Sequence, residues 1–416
     1  MRIGFIATRI KGTDGVSLEV EKWAYVLRRM KHEVFFCAGE LGEPFTPNGT
    51  LIPELHFARR SILTLTQQAF QEGKRKDIDR VVDRIYSLAD QIRYPIRQFI
   101  RANRLNLLIV QNALTIPLNL PLGVSLTGLI AELGIPTIAH HHDFYWERQR
   151  YQVNNILDVL DTTFPAKLPT IVHVTLNSIA QARLKERRGI DSVIIPNVQD
   201  FANPPLGIDD YNRDFREAIG LGPNDLFILQ PTRVIQRKGI EMAIELVHRM
   251  GLTNPQLFIS HSTDDEGQSY WHWLQREAHL MNVRLHLIDH LVDAHRKSLN
   301  HHKIYSLWDA YAHADLVTYP SLYEGYGNAL VETIYCKRPA VVNRYPVYNA
   351  DIKPLGFEFI ELDGFVDDKA VEKTWQLLKD PEQIKAMTEK NFTIAREHLS
   401  FEVLERKLKE VISLFN

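Results

Sequence analysis

Cysteine is almost absent from this 416-residue chain: Cys37 and Cys336 are too few for a disulfide scaffold and too far apart for a metal-ligand spacing. A surplus of one charge is absent too. The 49 basic and 51 acidic side chains leave a net charge of −2, which argues against a nucleic-acid surface driven by bulk charge, because neutralising phosphates shows as a basic excess. Long apolar runs are missing: the longest, 105–110 and 226–229, have strand length, well short of the roughly 18–20 residues of a spanning helix. The N-terminal stretch MRIGFIATRIKGTDG turns basic and glycine-containing after a few apolar residues, without the apolar core or cleavage site of a signal peptide. The expectation is a cytoplasmic protein that does not span a membrane.

What is present is a rhythm. Apolar, strand-length runs at 3–8, 33–38, 105–110, 135–142, 170–175 and 193–198 alternate with amphipathic stretches, and the rhythm restarts after Pro204-Pro205 at 226–230, 256–260, 284–288, 315–319, 340–343 and 357–362. Alternating strands and helices predict parallel sheets covered on both faces, an α/β architecture. Residues 197–207, with paired prolines and a glycine, read as the linker between two doubly wound, Rossmann-like domains, 1–200 and 208–399. Residues 64–103 break the rhythm and predict long helices inserted in the first domain; their Lys74-Arg75-Lys76, Arg93, Arg97 and Arg101 are interspersed with acids and glutamines, so no membrane-binding face is expected.

Open parallel sheets bind ligands at the carboxyl ends of their strands. After the first strand comes Gly12-Thr13-Asp14-Gly15-Val16-Ser17, with Ser17 as the expected helix cap; glycines and a helix N-terminus there suit an anionic or polyhydroxy ligand, although a plain turn reads equally well. After strand 226–230 comes Pro231-Thr232-Arg233-Val234-Ile235-Gln236-Arg237-Lys238-Gly239, whose three cations in six positions can clamp a diphosphate or simply be a solvated loop. The strongest signal is Glu324-Gly325-Tyr326-Gly327-Asn328-Ala329-Leu330-Val331-Glu332, two carboxylates eight positions apart around a glycine-rich loop that opens a helix. Carboxylates suit sugar and ribose hydroxyls, and free N–H groups at a helix start suit a diphosphate. One ligand carries both chemistries: a nucleotide sugar.

The E-x7-E arrangement of Glu324 and Glu332, the upstream Arg233 and Lys238, Pro196-Asn197 and the two-domain layout together resemble the family 4 retaining glycosyltransferases of the GT-B fold. The resemblance implies an acceptor-binding first domain, completed by a returning helix at 400–416, a donor-binding second domain, and catalysis in the cleft between them. It implies that Arg233 and Lys238 hold the donor diphosphate, that Glu332 binds the ribose, that Glu324 contacts the transferred sugar, and that Gly325, Tyr326, Gly327, Asn328 and Ala329 line its hydroxyls and phosphates. Gly15 falls near the phosphate or the acceptor, with Gly12, Thr13 and Asp14 beside it. The family's active-site histidine corresponds to His142; strand alternation puts His140 and His142 on one face and His141 on the other. The implied chemistry is front-face displacement with retention, with cations stabilising the departing phosphate. Tyr326 stands where phenylalanine is commoner, and Cys336-Lys337 where many relatives have a small residue and glycine. Cys336 is expected in the core.

A metal reading of His140, His141, His142 and Asp143 is disfavoured because consecutive strand ligands point apart. Asp264-Asp265-Glu266 reads as an acidic loop rather than a metal-binding carboxylate pair. No cofactor or metal is expected. The loop Phe144-Tyr145-Trp146-Glu147-Arg148-Gln149-Arg150 offers aromatic faces and guanidinium groups, so Asp143 and Arg148 join His142 as candidate acceptor residues, and a small phosphorylated or carboxylated acceptor is favoured. The preferred reading is a sucrose-phosphate synthase-like transfer from UDP-glucose to fructose 6-phosphate, in compatible-solute metabolism. The alternatives are a GDP-mannose-dependent, mannosylglucosylglycerate synthase-like transferase and a nucleotide-sugar epimerase. A phosphorylase-like enzyme would need a pyridoxal phosphate lysine, and a non-catalytic sugar-binding module would release no nucleotide.

Overall fold

The computed structural model describes residues 1–12, 14–70, 78–263, 268–299 and 302–415. Seven strands, β1 (Arg2–Ala7), β2 (Glu33–Ala38), β3 (Gly49–Leu51), β4 (Leu107–Gln111), β5 (Thr137–His141), β6 (Ile171–Thr175) and β7 (Ser192–Ile194), form one sheet in the order β3-β2-β1-β4-β5-β6-β7. Every pairing in it is parallel. All five residues of β4 and all five of β5 are buried, as strands covered by helices on both faces must be.

A second sheet is built from β8 (Ile228–Gln230), β9 (Gln256–Ile259) and β10 (Arg284–Leu287). Next along the chain come three short strands, β11 (Val292–Asp293), β12 (Lys297–Leu299) and β13 (His302–Ser306), which form a small separate sheet. Then β14 (Leu316–Tyr319), β15 (Ala340–Asn343) and β16 (Ile360–Leu362) complete the second sheet in the order β10-β9-β8-β14-β15-β16. Strand order therefore reverses between β1 and β4 in one sheet and between β8 and β14 in the other. Those switch points are where neighbouring strand-to-helix connections leave in opposite directions and open a crevice for a ligand.

The doubly wound α/β expectation holds, and this is the architecture of the GT-B fold. Several details differ. β7 stops at Ile194 instead of running to 198, since Pro196 has no N–H to give a ladder. β3 and the β11–β13 sheet went unread because strands of two to five residues show no periodicity.

The chain divides into two compact units, Met1–Pro196 with Phe401–Asn416, and Asn197–Ser400. The first unit's core gathers Ile6, Leu108, Val110, Leu126 and Ile130 with Ile96 and Phe99 from the inserted helix Ile78–Ala102. That helix and its neighbour Arg60–Ala69 occupy the segment read as an insertion; Lys74-Arg75-Lys76 lie outside the described residues. The closing helix Phe401–Ser413 lies on helix Gly15–Arg29, with Arg29 paired to Glu405 at 2.8 Å and the Tyr25 and Phe401 rings 5.4 Å apart. The second unit's core is Ile228, Ile244, Leu257, Ile259, Leu316 and Val341. Among the described residues no helix is long and apolar enough to cross a membrane.

Candidate active site

In the second unit the loops that follow β8 and β14 meet at the switch point. Leu322 N donates to Arg237 O at 2.8 Å, and the Arg237 guanidinium donates to Tyr323 O at 2.9 Å. Gly239 has φ +59 and lies so close to the carbonyl of Pro320 that a Cβ there would collide with backbone. Only glycine allows both the conformation and the approach.

These contacts bring Lys238 and Glu324 together, both buried. Lys238 Nζ donates to Glu324 Oε1, and Arg237 donates to Oε2 at 2.8 Å. Burial on its own would raise the Glu324 carboxyl; the Lys238 and Arg237 charges outweigh it and hold it well below the usual carboxylate range. Burial pulls the Lys238 ammonium down against the attraction of Glu324, with Arg237 and Arg233 pushing the same way as burial. Arg233 itself is exposed at the loop's start. Arg237 stood in the cation run but was not singled out, because a run of charges does not say which member turns inward.

Helix Asn328–Tyr335 starts behind Gly327, whose φ is +118. A Cβ on Gly327 would lie 2.8 Å from the hydroxyls of both Tyr319 and Tyr345. Gly327→Ala is therefore expected to destabilise this unit by about 1–3 kcal/mol, read as a lower unfolding midpoint; an unmoved midpoint would show that the loop relaxes freely. Tyr345 donates to Tyr326 O at 2.8 Å and pins the loop from behind. Glu332, the fifth residue of the helix, is buried, and the Tyr311 hydroxyl lies within donating distance of its Oε2, at 3.2 Å, and of Ala329 O, at 3.1 Å. Gly325 and Asn328 are partly exposed at the loop and helix start. Cys336 caps this helix and is half-buried rather than fully in the core; burial and Glu332 push its thiol far up, which makes it a poor nucleophile.

In the first unit, Asp14 rather than Ser17 caps helix Gly15–Arg29: its Oδ1 accepts from Val16 N at 3.1 Å and Ser17 N at 3.3 Å. A side chain must precede the first helical turn to reach its free N–H groups, and Ser17 is already inside it. Ser17 Oγ instead donates to Asp14 Oδ2 at 2.8 Å, and Arg9 pairs with the same carboxylate at 3.2 Å. Gly12 and Gly15 are exposed, Gly12 with φ +77. Thr13 lies outside the described residues, as do Asp264, Asp265 and Glu266.

At the ends of β4 and β5, His140 and His142 share one face, their ring centroids 4.6 Å apart. His141 faces the other way: its Nδ1 meets the Thr115 hydroxyl and its Nε2 lies 2.8 Å from His173 Nδ1. Burial lowers both His140 and His141 far below the ordinary histidine value, and holds His142 at about 4 despite Asp143 and Asp14 nearby. Asp143 pairs with Arg148 at 2.6 Å and turns its guanidinium. Among the described residues no three histidine, cysteine, aspartate or glutamate side chains gather as a metal site. Gln111 and Asn112, at the end of β4, escaped the sequence reading, although a glutamine closing the apolar run LLIVQ is a signal in itself.

Comparison with known structures finds the same fold. Sucrose-phosphate synthase from Thermosynechococcus elongatus superposes with a TM-score of 0.67 at 12% identity, over 100% of this chain and 98% of that one. Residues 212–393 match the family model described as Glycosyl transferases group 1. Mannosylglucosylglycerate synthase from Petrotoga mobilis is 33% identical over 95% of this chain and 97% of its own length, and the enzyme of that name from Thermotoga maritima is 32% identical over 97% and 98%. The chain belongs to the family 4 glycosyltransferases and is a glycosyltransferase enzyme.

Proposed function

We propose that this protein transfers a mannosyl residue from GDP-mannose to a hydroxyl of glucosylglycerate, with retention of configuration. The observation that carries the reading is the likeness, over nearly the whole chain, to two mannosylglucosylglycerate synthases. It moves the preference away from UDP-glucose and fructose 6-phosphate, since the sucrose-phosphate synthase likeness at 12% identity speaks for fold alone.

In this reading the donor lies over the loops after β8 and β14. Arg233 and Lys238 hold the diphosphate, Glu332 the ribose, and Glu324 the transferred sugar, with N–H groups of Gly325 to Ala329 completing the cradle. Glu324 is already ionised and oriented by Arg237, so it accepts from a sugar hydroxyl without reorganising. As the glycosyl–phosphate bond breaks, the sugar becomes oxocarbenium-like, the acceptor hydroxyl adds to the same face, and its proton passes to the departing phosphate oxygen. The negative charge that grows there is met by Lys238 and Arg233. His142 positions the sugar, and Arg148, braced by Asp143, meets the glycerate carboxylate; Gly12, Thr13, Asp14 and Gly15 form the loop beside them.

The test is a matrix of GDP-mannose, GDP-glucose and UDP-glucose against glucosylglycerate, glycerate and fructose 6-phosphate, read as nucleotide release and by proton NMR of the product. The expected result is GDP release with GDP-mannose and glucosylglycerate together, and an α-linked product. UDP release with fructose 6-phosphate would restore the sucrose-type reading, and isomerisation of a donor alone would point to an epimerase.

A further inference from the structure

β4 and β5 pair in parallel with Gln111 opposite His140, so both side chains rise on the same face, at the β1/β4 switch point. His142 is two residues further along and returns to that face. The buried Gln111 Oε1 lies 3.0 Å from His140 Nδ1 and 3.0 Å from His142 Nε2. His140 is fixed from its other side by Trp23, stacked with ring centroids 4.3 Å apart. The His142 backbone is held as well: its N–H donates to Asn112 Oδ1 at 3.2 Å, and Asn112 N donates to His140 O at 3.0 Å.

An amide oxygen only accepts. If it serves both rings, His140 carries its proton on Nδ1 and His142 carries its proton on Nε2. A neutral His142 then has one bare nitrogen, Nδ1. The ring is neutral at physiological pH because burial lowers it to about 4; Asp143 and Asp14 oppose this, while Lys22 reinforces it.

We infer that Gln111 is a positioning residue that fixes the ring and the tautomer of His142, so that His142 meets the substrate with Nδ1 as an acceptor for a sugar hydroxyl. The inference rests on the reading above, in which His142 lies at the reacting sugar. It assigns that histidine a direction: it reads a hydroxyl donor, and it does not donate to a ring oxygen or a phosphate. Gln111 touches no substrate itself and acts through the imidazole.

The test begins with the 416-residue protein labelled with 15N-histidine, whose long-range proton–nitrogen spectrum at neutral pH, without substrate, is expected to show His142 as the Nε2–H tautomer. An Nδ1–H tautomer, which the amide would impose if its nitrogen faced the rings, overturns the inference. Gln111→Leu should mix the tautomers and lower kcat about tenfold, the worth of one positioning hydrogen bond, with donor KM little changed. Gln111→Glu keeps an acceptor in place but favours the imidazolium, so the acid limb of the pH–activity profile should move toward neutrality by about one unit or more. A purely structural role would lower stability and leave that limb where it was, and an unmoved limb in Gln111→Glu likewise sinks the proposal. His142→Ala separates the two readings: full activity in that variant removes His142 from the site, whatever the tautomer spectrum shows.

Discussion

Lys238→Ala is expected to lower kcat by about 10²–10³-fold, the usual cost of deleting one donor aimed at developing charge, while acceptor KM stays nearly constant. In the proposed reaction the reason is the timing of the charge: negative charge reaches the diphosphate oxygen as the glycosyl bond breaks, so an ammonium there favours the transition state over the ground state. The structure adds a second consequence. Lys238 is also the partner of the buried Glu324 carboxylate, and removing one member of a buried pair costs about 3–5 kcal/mol when nothing replaces it. Arg237, at 2.8 Å from the other oxygen, moderates that loss. The single variant should therefore be both slow and less stable, and the double variant Lys238→Met, Glu324→Gln should regain the unfolding midpoint but not the turnover. Steady-state kinetics on both substrates and calorimetry of the two variants separate the effects. Unchanged turnover in Lys238→Ala would remove Lys238 from the catalytic machinery.

Acidification is expected to unfold the first unit early. His141 Nε2 lies 2.8 Å from His173 Nδ1, and His141 Nδ1 meets the Thr115 hydroxyl, while His173 also bonds the Ala166 backbone. One proton serves the contact between the two rings, and protonating both would set donor against donor. Burial holds His173 and His142 at about 4 and lowers His141 and His140 well below the ordinary histidine value. The unfolded chain titrates its histidines near 6.5 and takes up protons first as the pH falls, so stability is full above about 6.5 and declines down to the folded value. Each histidine contributes a slope of about 1.4 kcal/mol per pH unit, so His173 and His142 together give a loss of about 4 kcal/mol by pH 5, and His141 and His140 act in the same direction. For a unit of this size that lowers the midpoint by more than about 10 °C. Calorimetry at pH 7.5, 6.0 and 5.0 reads it directly. His173→Gln should make the decline shallower, and a midpoint independent of pH in this range would contradict the buried, neutral histidines.

The sequence made some of this legible and hid the rest for physical reasons. Glu324 and Glu332 stood out because a loop that must present backbone to a ligand needs glycine, and Gly325 and Gly327 mark it between two carboxylates that nothing apolar explains. The pairing of Lys238 and Arg237 with Glu324 was not readable, because it depends on Leu322 and Gly239 bringing two loops together across 86 residues. The glutamine closing LLIVQ could be noticed, but the partners of Gln111 could not be read: they lie in the register of β4 against β5, and alternation within one strand says nothing about its neighbour. Ser17 was read as the cap and Asp14 fills that place, because only the start of the helix decides which residue precedes the first turn. The α/β architecture survived these misses because it rests on the repeated order of strands and helices, not on any one boundary.

The first unit is assembled from both ends of the chain, and this sets an order on its biosynthesis. Residues 197–400 are contiguous, whereas helix Gly15–Arg29, made before them, waits for helix Phe401–Ser413, made after them, to pack against it. Of the two units, the one begun earlier is thus finished later. During that interval an apolar helix face is available to chaperones or to neighbouring chains, and a ribosome that stalls after residue 400 would release a protein with a complete second unit and an unfinished first.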